Sequence, residues 1–219
     1  MKLSAVLLAR YYGLVQIEDL NSNGTVYYPE VVAALVERYG FMKFPQKIEE
    51  FDESKGIEFT GGRIGKYVIE KLMIFNSGIY IDTLADTATS ETIWYDLMEW
   101  AVGKFELTFR RDMVTRAAYV SHVTFHSDAP ILAVHPLLSK IARRVSDEVA
   151  ENFKQNLEYE PATVGLSFDT LSTKFGVAGF SVQKREGVAF WENKYFSAAP
   201  LKTSVHLELL EEWEKTFGG

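Results

Sequence analysis

Three of the four histidines lie close together in the sequence, with a carboxylate among them. They follow the pattern His122-x3-His126-x8-His135, and Asp128 lies between the second and the third. Imidazole and carboxylate are the ligands that zinc or non-haem iron would take in a chain without cysteine. The residues around His122 favour a strand, however, and four steps of ~3.3 Å then place His122 and His126 about 13 Å apart. One ion cannot bridge that distance, so we predict no metal site.

The segment Gly61-Gly62-Arg63-Ile64-Gly65-Lys66-Tyr67 is the nearest approach to a phosphate-binding loop. A P-loop needs four residues between its first glycine and the Gly-Lys pair, and then Ser or Thr to hold Mg²⁺. Here the spacing is one residue short and Tyr67 takes the hydroxyl position. A turn between two strands explains these glycines better. The chain also has no Gly-x-Ser-x-Gly elbow and no cysteine, so we expect no cofactor and no short catalytic motif.

Four aromatic residues lie within the segment Phe190-Trp191-Glu192-Asn193-Lys194-Tyr195-Phe196. If this segment is extended, successive side chains alternate, and Trp191, Tyr195 and Phe196 cannot all point into the core. Exposed rings of this kind are favoured at protein interfaces. We therefore predict an interface at Trp191, Tyr195 and Phe196, in a homo-oligomer that is most simply a dimer. The competing interpretation is that these rings cap the core.

The charge of the chain is acidic overall but uneven. The net charge is −7, whereas residues 104–144 contain seven basic side chains and only three acidic ones. Arg110, Arg111, Arg143 and Arg144 form the centre of this basic patch, which would meet an acidic partner surface or a phosphate group. A solvated face without a partner is the simpler interpretation. The acidic total argues against a nucleic-acid partner.

Composition indicates a folded chain. It has 219 residues, 47% of them hydrophobic and 14% aromatic, which is ample for a packed core. The apolar run Leu3 to Ala9 is too short to span a bilayer and has no convincing cleavage site after it. We therefore expect a cytoplasmic protein without a membrane partner.

Hydrophobic periodicity predicts meanders of strands between helices. The predicted helices are 29–39, 90–103, 136–153 and 204–217, and the predicted strands are 14–18, 25–28, 57–60, 66–75, 79–83, 117–126, 162–168, 175–184 and 188–191. Because the strands do not alternate one-for-one with helices, the fold class is α+β with a largely antiparallel sheet.

Two stretches of the chain follow the same plan, strand, strand and amphipathic helix. The halves are about 57–105 and 160–219, joined by the strand 117–126 and the helix 136–153, within one compact domain 1–219. In each predicted last helix an apolar residue precedes a tryptophan by three positions, Leu97 before Trp100 and Leu210 before Trp213. We expect both tryptophans to be buried and the two halves to be pseudo-repeats.

These observations favour a non-catalytic binding or assembly protein, a homo-oligomer or a subunit of a larger complex with a protein partner or itself. The motifs of metal, nucleotide, thiol and serine chemistry are missing or malformed. The alternative is a hydrolase or metal-dependent enzyme centred on His122, His126 and Asp128.

Overall fold

The fold is α+β, as the sequence predicts. The computed structural model describes residues 1–22, 24, 26–169, 171 and 176–217. Its strands are Lys2–Leu14 (β1), Ile57–Ile64 (β2), Tyr67–Phe75 (β3), Gly78–Thr83 (β4), Arg116–His126 (β5), Thr163–Leu166 (β6), Phe180–Lys184 (β7) and Lys194–Ala199 (β8). Its helices within the described residues are Ile17–Leu20 (α1), Tyr28–Tyr39 (α2), Thr87–Phe105 (α3), Pro136–Phe153 (α4) and Thr203–Lys215 (α5). The eight strands form an antiparallel sheet in the order β2-β3-β4-β1-β5-β8-β7-β6.

The chain divides into two compact units. The N-terminal unit comprises residues 6–121 and 201–204, and the C-terminal unit comprises residues 1–5, 122–200 and 205–219. Each unit contains a meander of three strands followed by a helix, β2-β3-β4-α3 in one and β6-β7-β8-α5 in the other. The pseudo-repeat and the single-domain organisation stay predictions.

The helix boundaries follow local chemistry. Pro29 and Pro136 lie in the first turns of α2 and α4, where a missing N–H costs nothing. Gly40 ends α2 in the left-handed conformation, with φ of 63°. The Asp86 carboxylate caps α3 by accepting a hydrogen bond from Thr89 N at 2.7 Å. These signals explain why the sequence predicts the helices better than the strands.

The core of the N-terminal unit begins with one row of side chains across the sheet. Phe59, Leu72, Ile81 and Tyr11 are neighbours in the strand registers, and all are buried. Trp94 of α3 packs edge-on against Tyr11, with 5.6 Å between ring centroids. Side chains repeat on one face about every 3.6 residues in a helix and every two residues in a strand. The apolar face of the helix therefore packs against the apolar face of the sheet.

The core of the C-terminal unit is built on β7 and β8. Tyr195 is fully buried and stacks on Phe125, with 5.6 Å between ring centroids. Phe180 stacks on Trp213 of α5, whose indole N–H donates to the Ile131 carbonyl at 3.1 Å. Trp213 is half-buried, and so is Trp100 of α3, so the expected burial of both tryptophans is met only in part.

Two predicted strand regions are wrong. Residues 188–191 are not a strand, because Phe190–Glu192 form a 3-10 turn that ends at Asn193 with φ of 48°, and β8 starts only after it. The predicted hairpin at 14–28 is absent from its described residues, since β1 ends at Leu14, α1 follows and α2 starts at Tyr28. Thr25, and Phe175 of the predicted strand 175–184, lie outside the described residues.

Candidate functional site

The histidine region lies at the end of β5 and just after it. His122 is half-buried, and its ring packs edge-on against Phe196 with 5.6 Å between centroids. His126 is half-buried too, whereas Asp128 is exposed and its backbone N–H donates to Glu214 at 2.9 Å. Within the described part of the chain, no group of three His, Asp or Glu side chains could hold a metal ion. The enzymatic role of His122, His126 and Asp128 stays a prediction.

His135 has a structural role at the start of α4. Its Nδ1 accepts a hydrogen bond from Leu137 N at 3.1 Å, so the side chain caps the helix.

The fourth histidine, His206, lies on α5. It is fully buried, and its Nε2 lies 2.8 Å from Ser197 Oγ, which donates to the Ser181 carbonyl at 2.8 Å. Burial, followed by the nearby His122, lowers its pKa from 6.5 to about 4. Because the Ser197 hydrogen is engaged by Ser181, this pair is not a nucleophile with its base.

The three residues of the predicted aromatic interface differ in their burial. Trp191 is 80% exposed, Phe196 is half-buried against His122, and Tyr195 is in the core. The Tyr195 hydroxyl donates to the Asn193 side chain at 3.1 Å. Trp191 is therefore the member of this set whose ring is free to meet another surface. Alternation of side chains explains the division, because Tyr195 and Phe196 are neighbours on β8.

The predicted basic patch has members in both units. In the N-terminal unit, Arg110 pairs with Asp112 at 3.2 Å and Arg111 with Glu99 at 3.1 Å. In the C-terminal unit, Arg143 and Arg144 are exposed on α4. Arg144 forms an ion pair with Glu148 one turn later. Surface pairs of this kind contribute little to stability, so these residues are available to a partner.

Helix α4 carries an apolar stripe that the rest of the described chain covers only in part. The stripe, which we call the α4 stripe, consists of Leu138, Ile141 and Val145, and half of the Ile141 surface is exposed. The helix has 18 residues, none of them buried. The helical spacing of Leu138, Ile141, Val145 and Val149 predicts this stripe, and Val149 is its half-buried member. Periodicity cannot tell whether the chain itself covers these residues.

Four charged side chains form a line on α4 about a third of a turn from this stripe. Lys140, Arg144, Asp147 and Glu151 follow one another at spacings of four, three and four residues, and all are exposed. This spacing places them along a single line on the helix. We call this line the α4 charged edge, and its first half is basic and its second half acidic.

Exposed apolar residues also flank α4 within the C-terminal unit. These are Val134, Leu137, Phe153, Leu157 and Tyr159. The segment after the helix is held against it, since Tyr159 N donates to Ser146 Oγ at 2.8 Å. The apolar surface is therefore larger than the α4 stripe alone.

The N-terminal unit contains an apolar cavity of about 470 Å³. It is lined by α1, the loop that follows, α2, the ends of β3 and β4, α3 and residues 105–107. The sequence does not predict this cavity. Its lining residues come from several separate elements and follow the same apolar pattern as residues of a packed core. The size lies within the range of small-molecule sites.

Two carboxylates are among the residues that line this cavity, Glu18 and Glu53. Tyr28 also lines it, and its hydroxyl oxygen is buried without a hydrogen-bond partner among the described residues. Burial, followed by interaction with Glu53, raises the pKa of Tyr28, so the phenol stays protonated.

Comparison of the chain with protein-family models, curated proteins and solved structures finds no match. No helix in the described ranges has the length and apolar content to cross a membrane. The features that bear on function are therefore the surfaces and cavities of the chain itself.

Proposed function

We propose that this protein is a non-catalytic binding or assembly protein that acts as a homo-oligomer, most simply a two-fold dimer. The exposed α4 stripe is the observation that carries the proposal. An amphipathic helix normally buries its apolar face, and in α4 no residue is buried. A contiguous apolar surface of this kind on a folded chain marks an interaction surface.

The charges beside the stripe favour a second copy of the same chain as the partner. In an antiparallel pair of α4 helices, Lys140 would face Glu151 of the other copy, and Arg144 would face Asp147. Both pairings are centred on the same point, between Val145 and Ser146. A single two-fold axis through that point would therefore pair all four charged residues with their counterparts in the other copy. A self-complementary surface is what an isologous dimer requires.

A dimer contact would have to extend beyond the α4 stripe. An 18-residue helix is about 27 Å long at ~1.5 Å per residue, and the flanking apolar residues extend the surface on both sides. A stable interface needs roughly 800 Å² from each partner. Trp191 extends the proposal to the loop before β8, as the sequence predicts, because its indole is exposed within the same unit.

Light scattering coupled to size exclusion tests the dimer. The expected mass is twice the chain mass of 24.9 kDa at micromolar concentration. Ile141→Glu places charges within the interface and should raise the dissociation constant at least a hundredfold, because it buries unpaired carboxylates. The matched control is Ile48→Glu, since Ile48 is 90% exposed in the other unit. A monomeric wild type, or equal effects of the two variants, would contradict the proposal.

Charge redesign tests the antiparallel arrangement. Lys140→Glu with Arg144→Glu makes the α4 charged edge wholly acidic, and Asp147→Lys with Glu151→Lys makes it wholly basic. Each variant alone should be monomeric, and an equimolar mixture should recover a dimer. A mixture that stays monomeric, while wild type dimerises, would exclude this pairing. Trp191→Ala then tests the loop, and an unchanged dissociation constant would remove Trp191 from the contact.

A subunit of a larger complex is the other form of the same proposal, with the α4 stripe meeting a different protein. A monomeric wild type that retains its fold would favour that form. The enzymatic alternative at His122, His126 and Asp128 is tested separately by elemental analysis, where one equivalent of metal that is lost in His126→Ala would support it.

A further inference from the structure

The cavity in the N-terminal unit has walls suited to an apolar guest. Its deeper lining comes from residues of the core cluster, Leu35, Ile74, Ile79, Leu97 and Met98, with the half-buried Trp100 beside them. The cavity is partly open to solvent, and its volume of about 470 Å³ lies within the range of small-molecule sites. An apolar guest would gain binding energy there by removing apolar surface from water.

The charged residues among the described lining residues are all acidic. Glu18 and Glu53 contribute carboxylates, whereas no Lys, Arg or His is among the described lining residues. Carboxylates beside an apolar cavity attract a cation and repel an anion. Glu53 is half-buried, which strengthens its effect, whereas Glu18 is exposed and its charge is screened by solvent. A fatty acid or a phosphate ester therefore does not fit, and an amine does.

The backbone ties the segments that carry Glu18 and Glu53 to the same turn. Asn76, in the turn between β3 and β4, accepts a hydrogen bond from Ile17 N at 3.0 Å and donates to the Glu53 carbonyl at 3.4 Å. Ile17 is the immediate neighbour of Glu18, so both acidic segments are tied to the same turn. Glu53 and Tyr28 both line the cavity, and the Tyr28 hydroxyl has no hydrogen-bond partner among the described residues.

We propose that this cavity binds a small apolar molecule that carries a protonated amine. The apolar body occupies the space between α2, α3 and the sheet, and the ammonium group is neutralised by Glu18 and Glu53. The site is separate from the α4 stripe, so it does not depend on the proposed dimer.

Three probes with the same body isolate the head group. 4-Phenylbutylamine is cationic, 4-phenylbutanol neutral and 4-phenylbutyrate anionic at pH 7.5, and each is titrated into the full-length protein by calorimetry. We expect the amine to bind at least tenfold more tightly than the alcohol, and the carboxylate not to bind. Equal affinities for the amine and the carboxylate, or no binding by any probe at millimolar concentration, would overturn the proposal.

Variants assign the binding to the cavity. Glu53→Gln should weaken binding of the amine about tenfold and leave the alcohol unchanged. Glu49→Gln removes an exposed carboxylate that does not line the cavity and serves as the matched control. Ala101→Phe fills the cavity from α3 and should abolish binding of both probes, with circular dichroism confirming the fold. If Glu49→Gln and Glu53→Gln behave alike, the amine binds by surface charge alone and the proposed site is wrong.

Discussion

Helices α3 and α4 have nearly the same length and contrasting surroundings. α3 has 19 residues, six of them buried, and α4 has 18 residues with none buried. The stripe of the first helix meets the sheet through Trp94, whose indole N–H donates to the Ile79 carbonyl at 3.0 Å. The stripe of the second helix, although its apolar and polar residues are more sharply separated, faces outward. Amphipathicity therefore indicates that a face will be covered, but not what covers it.

The largest difference should appear when one leucine is truncated in each helix. Leu97→Ala removes a buried side chain and should lower the free energy of unfolding by about 2–5 kcal/mol. Leu138→Ala removes a side chain that is 40% exposed, and should change the stability of the dilute monomer by less than about 1 kcal/mol. Urea titrations of both variants measure the two values, and comparable losses would mean that α4 is covered in the monomer.

The next largest effect should be that acid destabilises the C-terminal unit before the N-terminal unit. All four histidines belong to the C-terminal unit, and His206 has its pKa lowered from 6.5 to about 4 because burial disfavours the charged form. Its neutral form thus contributes stability that is complete above pH 6.5 and is lost as the pH falls towards 4. A shift of this size corresponds to a loss of roughly 3 kcal/mol.

Hydrogen exchange of peptides from each unit, between pH 7 and pH 4.5, measures this effect. Exchange rates corrected for intrinsic pH dependence should rise first around β7, β8 and α5. The variant His206→Gln should weaken this pH dependence, whereas His135→Gln, at the exposed cap of α4, should not. Acid sensitivity that begins in the N-terminal unit would contradict the role of His206.

The smallest expected effect concerns the cavity. Tyr28→Phe removes a buried hydroxyl that has no hydrogen-bond partner in the described chain, and should stabilise the protein by about 1 kcal/mol. Tyr27→Phe is the control, because Tyr27 is 65% exposed and does not line the cavity. Thermal unfolding measures both. A loss of stability in Tyr28→Phe would show that the hydroxyl is bonded to Glu53.

Local signals in the sequence account for much of the fold. Pro136 and the helical spacing that follows it predicted α4 with its observed bounds, and the loop signal at 76–78 predicted the turn between β3 and β4. Both signals depend on interactions over a few residues. The turn predicted at Gly61-Gly62 is wrong, because both glycines lie within β2 and the turn to β3 is at Gly65-Lys66. The strand predicted at 188–191 is wrong because a short aromatic run is compatible with a strand or a turn, and hydrogen bonds from Glu192 and Asn193 form the turn.

Periodicity and capping chemistry are local, so the sequence by itself determined the α+β class, the amphipathic helices and the absence of a cysteine or P-loop site. Only the tertiary structure decided which faces are covered. It buried Tyr195 and exposed Trp191, left the α4 stripe partly exposed, placed His206 beside Ser197 and formed a cavity, partly open to solvent, with Glu18 and Glu53 at its wall. These outcomes depend on contacts between residues far apart in the chain, and side-chain spacing within one element contains no information about them.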